Sequence, residues 1–123
     1  NGVILTYGVV STREDIRCFC FDNLVTEEYG EQAVSLERYV DEKSAPAFIW
    51  HSFPDECVDP RNALVLAEAY VRAKVPCELH LYSDGAHGIG LGIPGEGNSE
   101  FYPRAHRWAD EAAEWALGLY AAR

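Results

Sequence analysis

The sequence predicts an α/β protein, a parallel sheet with helices on its flanks. Three observations carry that class. Two short runs, 2–10 and 47–51, are apolar almost throughout and rich in branched side chains, as strands covered on both faces are. A helical segment over 59–74 joins the second run to a third, 77–82, through short links, the pattern of a right-handed strand–helix–strand crossover. A long helix with a broad apolar stripe, over 103–122, closes the chain and suits the face of a sheet.

Each element has its own grounds. Gly2-Val3-Ile4-Leu5-Thr6-Tyr7-Gly8-Val9-Val10 reads as a first strand buried on both faces. Residues 11–32 have no clean period and read as an excursion over the end of the sheet, with a helix start at Thr26 as cap before Glu27-Glu28. Residues 33–40, with Val34, Leu36 and Val40 apolar, read as a further short helix, and 41–46 as a polar connector closed by Pro46. Ala47-Phe48-Ile49-Trp50-His51 is the second strand. Asp59-Pro60 is helix-start chemistry, an N-cap carboxylate followed by a residue whose fixed φ already suits a first turn. Leu64, Ala67, Val71 and Val75 recur at helical spacing and mark that helix's predicted core face. Val75-Pro76 ends it, and Cys77-Glu78-Leu79-His80-Leu81-Tyr82 alternates as a strand with two unequal faces. The last helix offers Trp108, Ala112, Trp115, Ala116 and Leu119.

Composition narrows the function. The 123 residues are expected to make one domain at most, and they are 48% hydrophobic and 12% aromatic. Twenty acidic residues against 10 Lys and Arg leave a net charge of −10, which repels phosphate backbones and anionic lipid. Nucleic acid and membrane are therefore not expected partners, and no run is long and apolar enough to cross a bilayer. Cys18, Cys20, Cys57 and Cys77 form no C-x-x-C pair, and Cys18-Phe19-Cys20 has no neighbouring His or Cys to complete a zinc site. They are expected as reduced thiols in a cytoplasmic setting, with no metal or cofactor. The chain opens on Asn1 and contains no Met, the expectation for a processed, truncated or partly recorded polypeptide.

The chemistry gathers at strand ends. In open parallel sheets, functional groups collect beyond the carboxyl ends of the strands. Asp55 follows the second strand; His87 follows the third, on the loop Ser83-Asp84-Gly85-Ala86-His87-Gly88. Adjacent strands would make these loops neighbours, and a carboxylate beside an imidazole fixes its tautomer and stabilises its protonated form. Asp55 could equally serve only as a turn cap, and His87 only as a surface side chain. Gly88-x-Gly90-x-Gly92 is not a dinucleotide fingerprint: its third glycine is misplaced, Pro94 interrupts, and no helix opens there. His51, His80 and His106 read as structural.

Several stretches together resemble a known family. They are Phe48-Ile-Trp50-His51-Ser52-x-x-Asp55-x-x-Val58, Asn62-Ala-Leu64, Val75-Pro76-x-Glu78-Leu79-His80-Leu81-Tyr82 and Gly85-x-His87-Gly88-x-Gly90-Leu91. They look like the C-terminal half of α/β-hydrolase esterases and lipases, the bacterial group with acetyl-xylan-esterase-like and dienelactone-hydrolase-like members. The opening strand and Leu36-Glu37-Arg38-Tyr39-Val40 match the segment before that family's acid, so the likeness covers nearly the whole chain. It implies a three-layer α/β/α fold, no cofactor, small-molecule ester substrates, and a Ser-His-Asp triad with Asp55 as acid and His87 as base, in that fold's order. The chain departs from the family at Val58-Asp59-Pro60, where Val-Pro is usual, and at Ala63, where a small hydroxyl residue is usual; Asp59 thus competes with Asp55 for the acid role. No G-x-S-x-G nucleophile elbow occurs. The implied nucleophile half is expected on a missing N-terminal segment, and the first strand is expected to be covered by that half or by a second copy. A degenerate, non-catalytic binding module and a peptidase of the same fold are the alternatives.

Overall fold

In the computed structural model, which describes residues 1–23, 25–95 and 100–121, three strands form one parallel sheet. They are β1 (Val3–Thr6), β2 (Ala47–Ser52) and β3 (Cys77–Tyr82), in that spatial order. Val3 sits opposite Ala47 and Ala47 opposite Cys77, so the three strands start level. Helices α1 (Glu31–Val34), α2 (Arg61–Ala73) and α3 (Trp108–Ala121) complete the chain, with 3-10 turns at Phe19–Asn23, Leu36–Arg38 and Ala105–Arg107.

The central strand explains the layering. All six residues of β2 are buried, and alternate side chains enter opposite cores. Ala47 and Ile49 pack with Ala63, Leu66, Ala67 and Tyr70 of α2. Phe48 and Trp50 pack with Ile89, Ala105 and Ala112, flanked by Trp108 and Trp115 of α3. A strand covered on both faces needs apolar residues at odd and even positions alike, and 47–50 supplies them. The result is a helix–sheet–helix sandwich, the α/β class expected.

Three expected elements come out differently. The first apolar run is not a long buried strand: β1 stops at Thr6, lies at the sheet edge, and leaves Val3 and Ile4 37% and 46% exposed. Tyr7 takes φ +34°, a conformation an L side chain rarely adopts, and turns the chain out of the strand. Beyond it, Val10 joins the α2-side core as loop. Thr26 starts no helix either. Its hydroxyl accepts the Tyr29 N–H at 3.0 Å, closing a turn, and the next helix along the chain is α1. Residues 33–40 divide between the end of α1 and a 3-10 turn, because Ser35 between them is extended (φ −87°, ψ 93°). Ser35 is tied to Thr12 instead, its Oγ accepting the Thr12 N–H at 3.0 Å.

Of the core face expected for α2, Ala67 is buried, as is Val75 just past the helix, but the rest of that face is turned. Asn62, Ala63, Leu66, Ala67, Ala69 and Tyr70 are buried, whereas Leu64 and Val71 are 44% and 69% exposed. Both stripes have helical spacing, and Asn62 selects between them. Its Oδ1 accepts the N–H groups of Val10 and Ser11, each at 3.0 Å, and its Nδ2 donates to the carbonyls of Ile16 (3.1 Å) and Asp59 (3.0 Å). Every polar valence of this buried amide is used, which fixes the helix's rotation against the 10–16 loop. Lys74 at φ +58° ends the helix, its N–H reaching the carbonyls of Tyr70 and Val71.

The last helix starts later than expected, at Trp108 after the Ala105–Arg107 turn; Ala122 lies outside the described residues. Its entry is held by Asp84, whose carboxylate accepts the Arg104 and Ala105 N–H groups at 2.9 and 2.8 Å. The loop after β3 is thereby fastened to the start of α3.

Candidate active site

The site lies beyond the carboxyl ends of β2 and β3. After Ser52 the chain turns tightly, with the Asp55 N–H on the Ser52 carbonyl at 3.3 Å. The Asp55 carboxylate then organises its own loop: Oδ1 accepts the N–H groups of Cys57 and Val58, both at 2.9 Å. Oδ2 lies 2.9 Å from His87 Nδ1 and 3.1 Å from His51 Nε2. An ionised carboxylate offers about four lone-pair sites, and four N–H donors occupy them here.

The electrostatics follow from that count. Burial alone would raise the Asp55 carboxyl, because it penalises the charged form. The N–H of Val58, the His87 imidazole and the N–H of Cys57 outweigh it and hold the group below the usual carboxylate range. The Asp55 side chain is fully buried while that of His87 is 35% exposed, so the acid sits behind and the base sits at the surface.

Two local features hold the histidine loop close. Gly85 takes φ +103°, and a Cβ there would fall 2.6 Å from Ser52 Oγ, so only glycine lets the loop pass over the end of β2. The Tyr7 ring meets the His87 imidazole edge-on, with centroids 5.2 Å apart and planes at 70°, and it packs on Trp50 in the same manner at 4.9 Å. Tyr7 carries the unusual backbone angle noted above. A rare φ at a bulky residue persists where its surroundings determine it, and here those surroundings are the site.

Beside His87 opens a cavity of about 610 Å³, lined among others by Pro54, Glu56, Cys57, Glu100 and Tyr102. It is large enough for a small organic substrate. Its acidic and phenolic side chains offer hydrogen bonds to hydroxyl groups.

The structure separates the two candidate acids. Asp55 contacts His87; Asp59 is at the α2 entrance, accepting the Arg61 N–H at 2.8 Å and binding the Arg61 guanidinium at 2.6 Å. Arg61 holds the Asp59 carboxyl below its ordinary range, and Asp15 shares the same guanidinium. His106 lies in the turn before α3, with Nδ1 3.0 Å from the Tyr102 carbonyl. His80 stacks on Phe48 at 4.8 Å and bridges Glu78 and Glu111. All four cysteines are free thiols, and among the described residues no helix is long and apolar enough to cross a membrane.

His51, read from sequence as structural, makes a contact in the site that the sequence reading did not anticipate. It is fully buried and touches the same Asp55 oxygen as His87. The available signal was a single polar ring ending an otherwise apolar strand, four residues before an acid.

The fold is the C-terminal part of an α/β hydrolase, and the proteins it resembles are esterases and related hydrolases. A sugar hydrolase from Lactococcus lactis superposes with a TM-score of 0.81 at 29% identity, covering 98% of this chain and 48% of that one. A carboxylesterase from Lactobacillus plantarum superposes with a TM-score of 0.79 at 25% identity, covering 96% of this chain and 44% of that one. In sequence, the chain is similar to endo-1,4-beta-xylanase B of Butyrivibrio fibrisolvens, 30% identical over 107 residues, which is 83% of this chain and 16% of the xylanase. No family model matches. The chain thus spans under half the length of these two structures and a small part of the xylanase.

Proposed function

We propose that this chain supplies the acid and the base of a serine carboxylesterase acting on small acyl esters, acetylated carbohydrate among them. The observation that carries the reading is the 2.9 Å contact from a buried, fully hydrogen-bonded Asp55 to Nδ1 of a partly exposed His87, beside a cavity. In this reading Nδ1–H donates to Asp55, which leaves Nε2 free to take the proton of a serine hydroxyl as its oxygen attacks the acyl carbon. The imidazolium, stabilised by Asp55, returns that proton to the departing alcohol. Sugar esters are supported by the names of the similar proteins, a sugar hydrolase and a xylanase, and by the hydroxyl-binding character of Glu56, Glu100 and Tyr102.

The serine is not in these 123 residues as a G-x-S-x-G elbow. Among the described residues, no serine hydroxyl is hydrogen-bonded to His87. The nucleophile and the oxyanion hole therefore come from another segment, one that pairs with the open edge of β1. Without them the pair only relays protons, and loss of a triad member costs several orders of magnitude in rate. The purified chain is expected to show no turnover of p-nitrophenyl acetate above buffer; turnover abolished by His87→Ala would overturn this. Sequencing the coding region upstream of Asn1 tests the wider reading. A G-x-S-x-G following a strand there supports the esterase. A coding region without one supports the second reading, a non-catalytic module with a hydrolase fold.

A further inference from the structure

Asp55 Oδ2 is shared by two imidazoles, and the triad logic uses only one of them. The second, His51, is 0% exposed and belongs to the rigid central strand. Its Nε2 stands 3.1 Å from Asp55 Oδ2 and 3.0 Å from the Val58 carbonyl oxygen. A carbonyl and a carboxylate can only accept, so Nε2 carries the proton and donates to both. Its Nδ1 is buried with no partner among the described residues, and a proton there would bury an unpaired N–H. One tautomer satisfies all of these contacts: neutral, with its hydrogen on Nε2.

That ring closes the acid loop. Asp55 Oδ1 accepts the Val58 N–H, and His51 Nε2–H reaches the Val58 carbonyl and Asp55 Oδ2 together. The fourth donor to the carboxylate, His87, comes from an exposed loop, so the part of the site with the least freedom is His51. We propose that His51 is the positioning residue of the pair, an Nε2–H donor that fixes the Asp55 carboxylate so that Oδ2 stays aimed at His87 Nδ1. The inference rests on the Asp55–His87 pairing proposed above and adds to it the group that sets the carboxylate's direction.

The test is long-range 1H–15N spectroscopy of the 15N-labelled full chain at neutral pH, which reads the tautomer of each histidine without needing activity. His51 is expected in a single Nε2–H form and His87 chiefly in the Nδ1–H form. In His51→Leu the donor is lost, and His87 is expected to shift from the Nδ1–H form to a mixture with Nε2–H. His51→Gln, which retains an N–H donor at that reach, is expected to restore the Nδ1–H form. A residue that merely fills the core would lower the unfolding midpoint in His51→Leu and leave the His87 tautomer unchanged, and that result overturns the proposal. If His51→Leu does not fold, the unsubstituted chain decides alone: His51 with its hydrogen on Nδ1, or on both nitrogens, overturns it. A His87 without the Nδ1–H form in the unsubstituted chain removes the pair itself, and the proposed function with it. A wrong His51 tautomer beside an intact pair removes this inference only.

Discussion

His51 and Asp55 both resist protonation in the folded chain, for different reasons. Burial dominates at His51 and pushes the imidazole below its ordinary value, against the pull of the Val58 carbonyl and Asp55. At Asp55 the hydrogen bonds outweigh burial and also lower the value. In each case the unfolded chain binds a proton that the folded chain refuses, so stability rises with pH across that window. For His51 the loss begins as pH falls below about 6.5, where the unfolded imidazole protonates; for Asp55 it begins below about 4. Urea unfolding midpoints between pH 8 and 5 are expected to decline on acidification, and His51→Gln to flatten that decline. Asn62 provides a second residue-scale test. Asn62→Ala strands two N–H groups and two carbonyls inside the core, and urea titration is expected to show a loss of roughly 3 kcal/mol. That Asp55 and His87 meet was legible because each follows an apolar strand on turn-forming residues, and strand ends are where such sheets gather polar groups. The contacts of His51 and Asn62 were not legible. The partners of Asn62 lie on a backbone stretch some 50 positions away, which no local pattern encodes; His51 stands four residues before an acid, but strand pattern alone does not tell that the turn between them brings the two together.

Among the elements, β2 and β3 are as the sequence places them, because continuous apolar character and alternation each have a single explanation there. The α2 helix shows where periodicity stops deciding. Its sequence carries two apolar stripes at the same spacing, and tertiary hydrogen bonds at Asn62 choose the one with Leu66 and Tyr70. The two faces should respond differently to substitution. Leu66→Ala is expected to cost about 2–5 kcal/mol, as large-to-small core changes do. Val71→Ser, on the exposed face, is expected to stay within about 0.5 kcal/mol of the parent. Equal losses at both positions in parallel urea titrations would contradict the assigned face. At β1, apolar composition suggested one strand over 2–10 buried on both faces; the run instead divides at Tyr7 between a short, part-exposed strand and a core loop, which hydropathy alone cannot distinguish.

At the scale of the molecule, the sheet ends at β1 with Val3 and Ile4 exposed. An apolar strand with unpaired backbone groups is a template for another strand. Light scattering on the isolated chain is therefore expected to show association, which Ile4→Lys reduces; a monomer at high concentration would count against a partner at this edge. An aromatic layer lies beneath α3 on one face of the sheet. The chain has three tryptophans, and Trp50, Trp108 and Trp115 all sit on that side of the sheet. Trp50 and Trp108 are stacked with centroids 5.3 Å apart and planes at 22°. Two indoles this close and nearly parallel couple their excited states, so near-ultraviolet circular dichroism should carry a paired band that vanishes when α3 undocks. Tryptophan emission will report on that layer alone. The α2 layer, whose one core aromatic among the described residues is Tyr70, could come apart first without dimming the indoles.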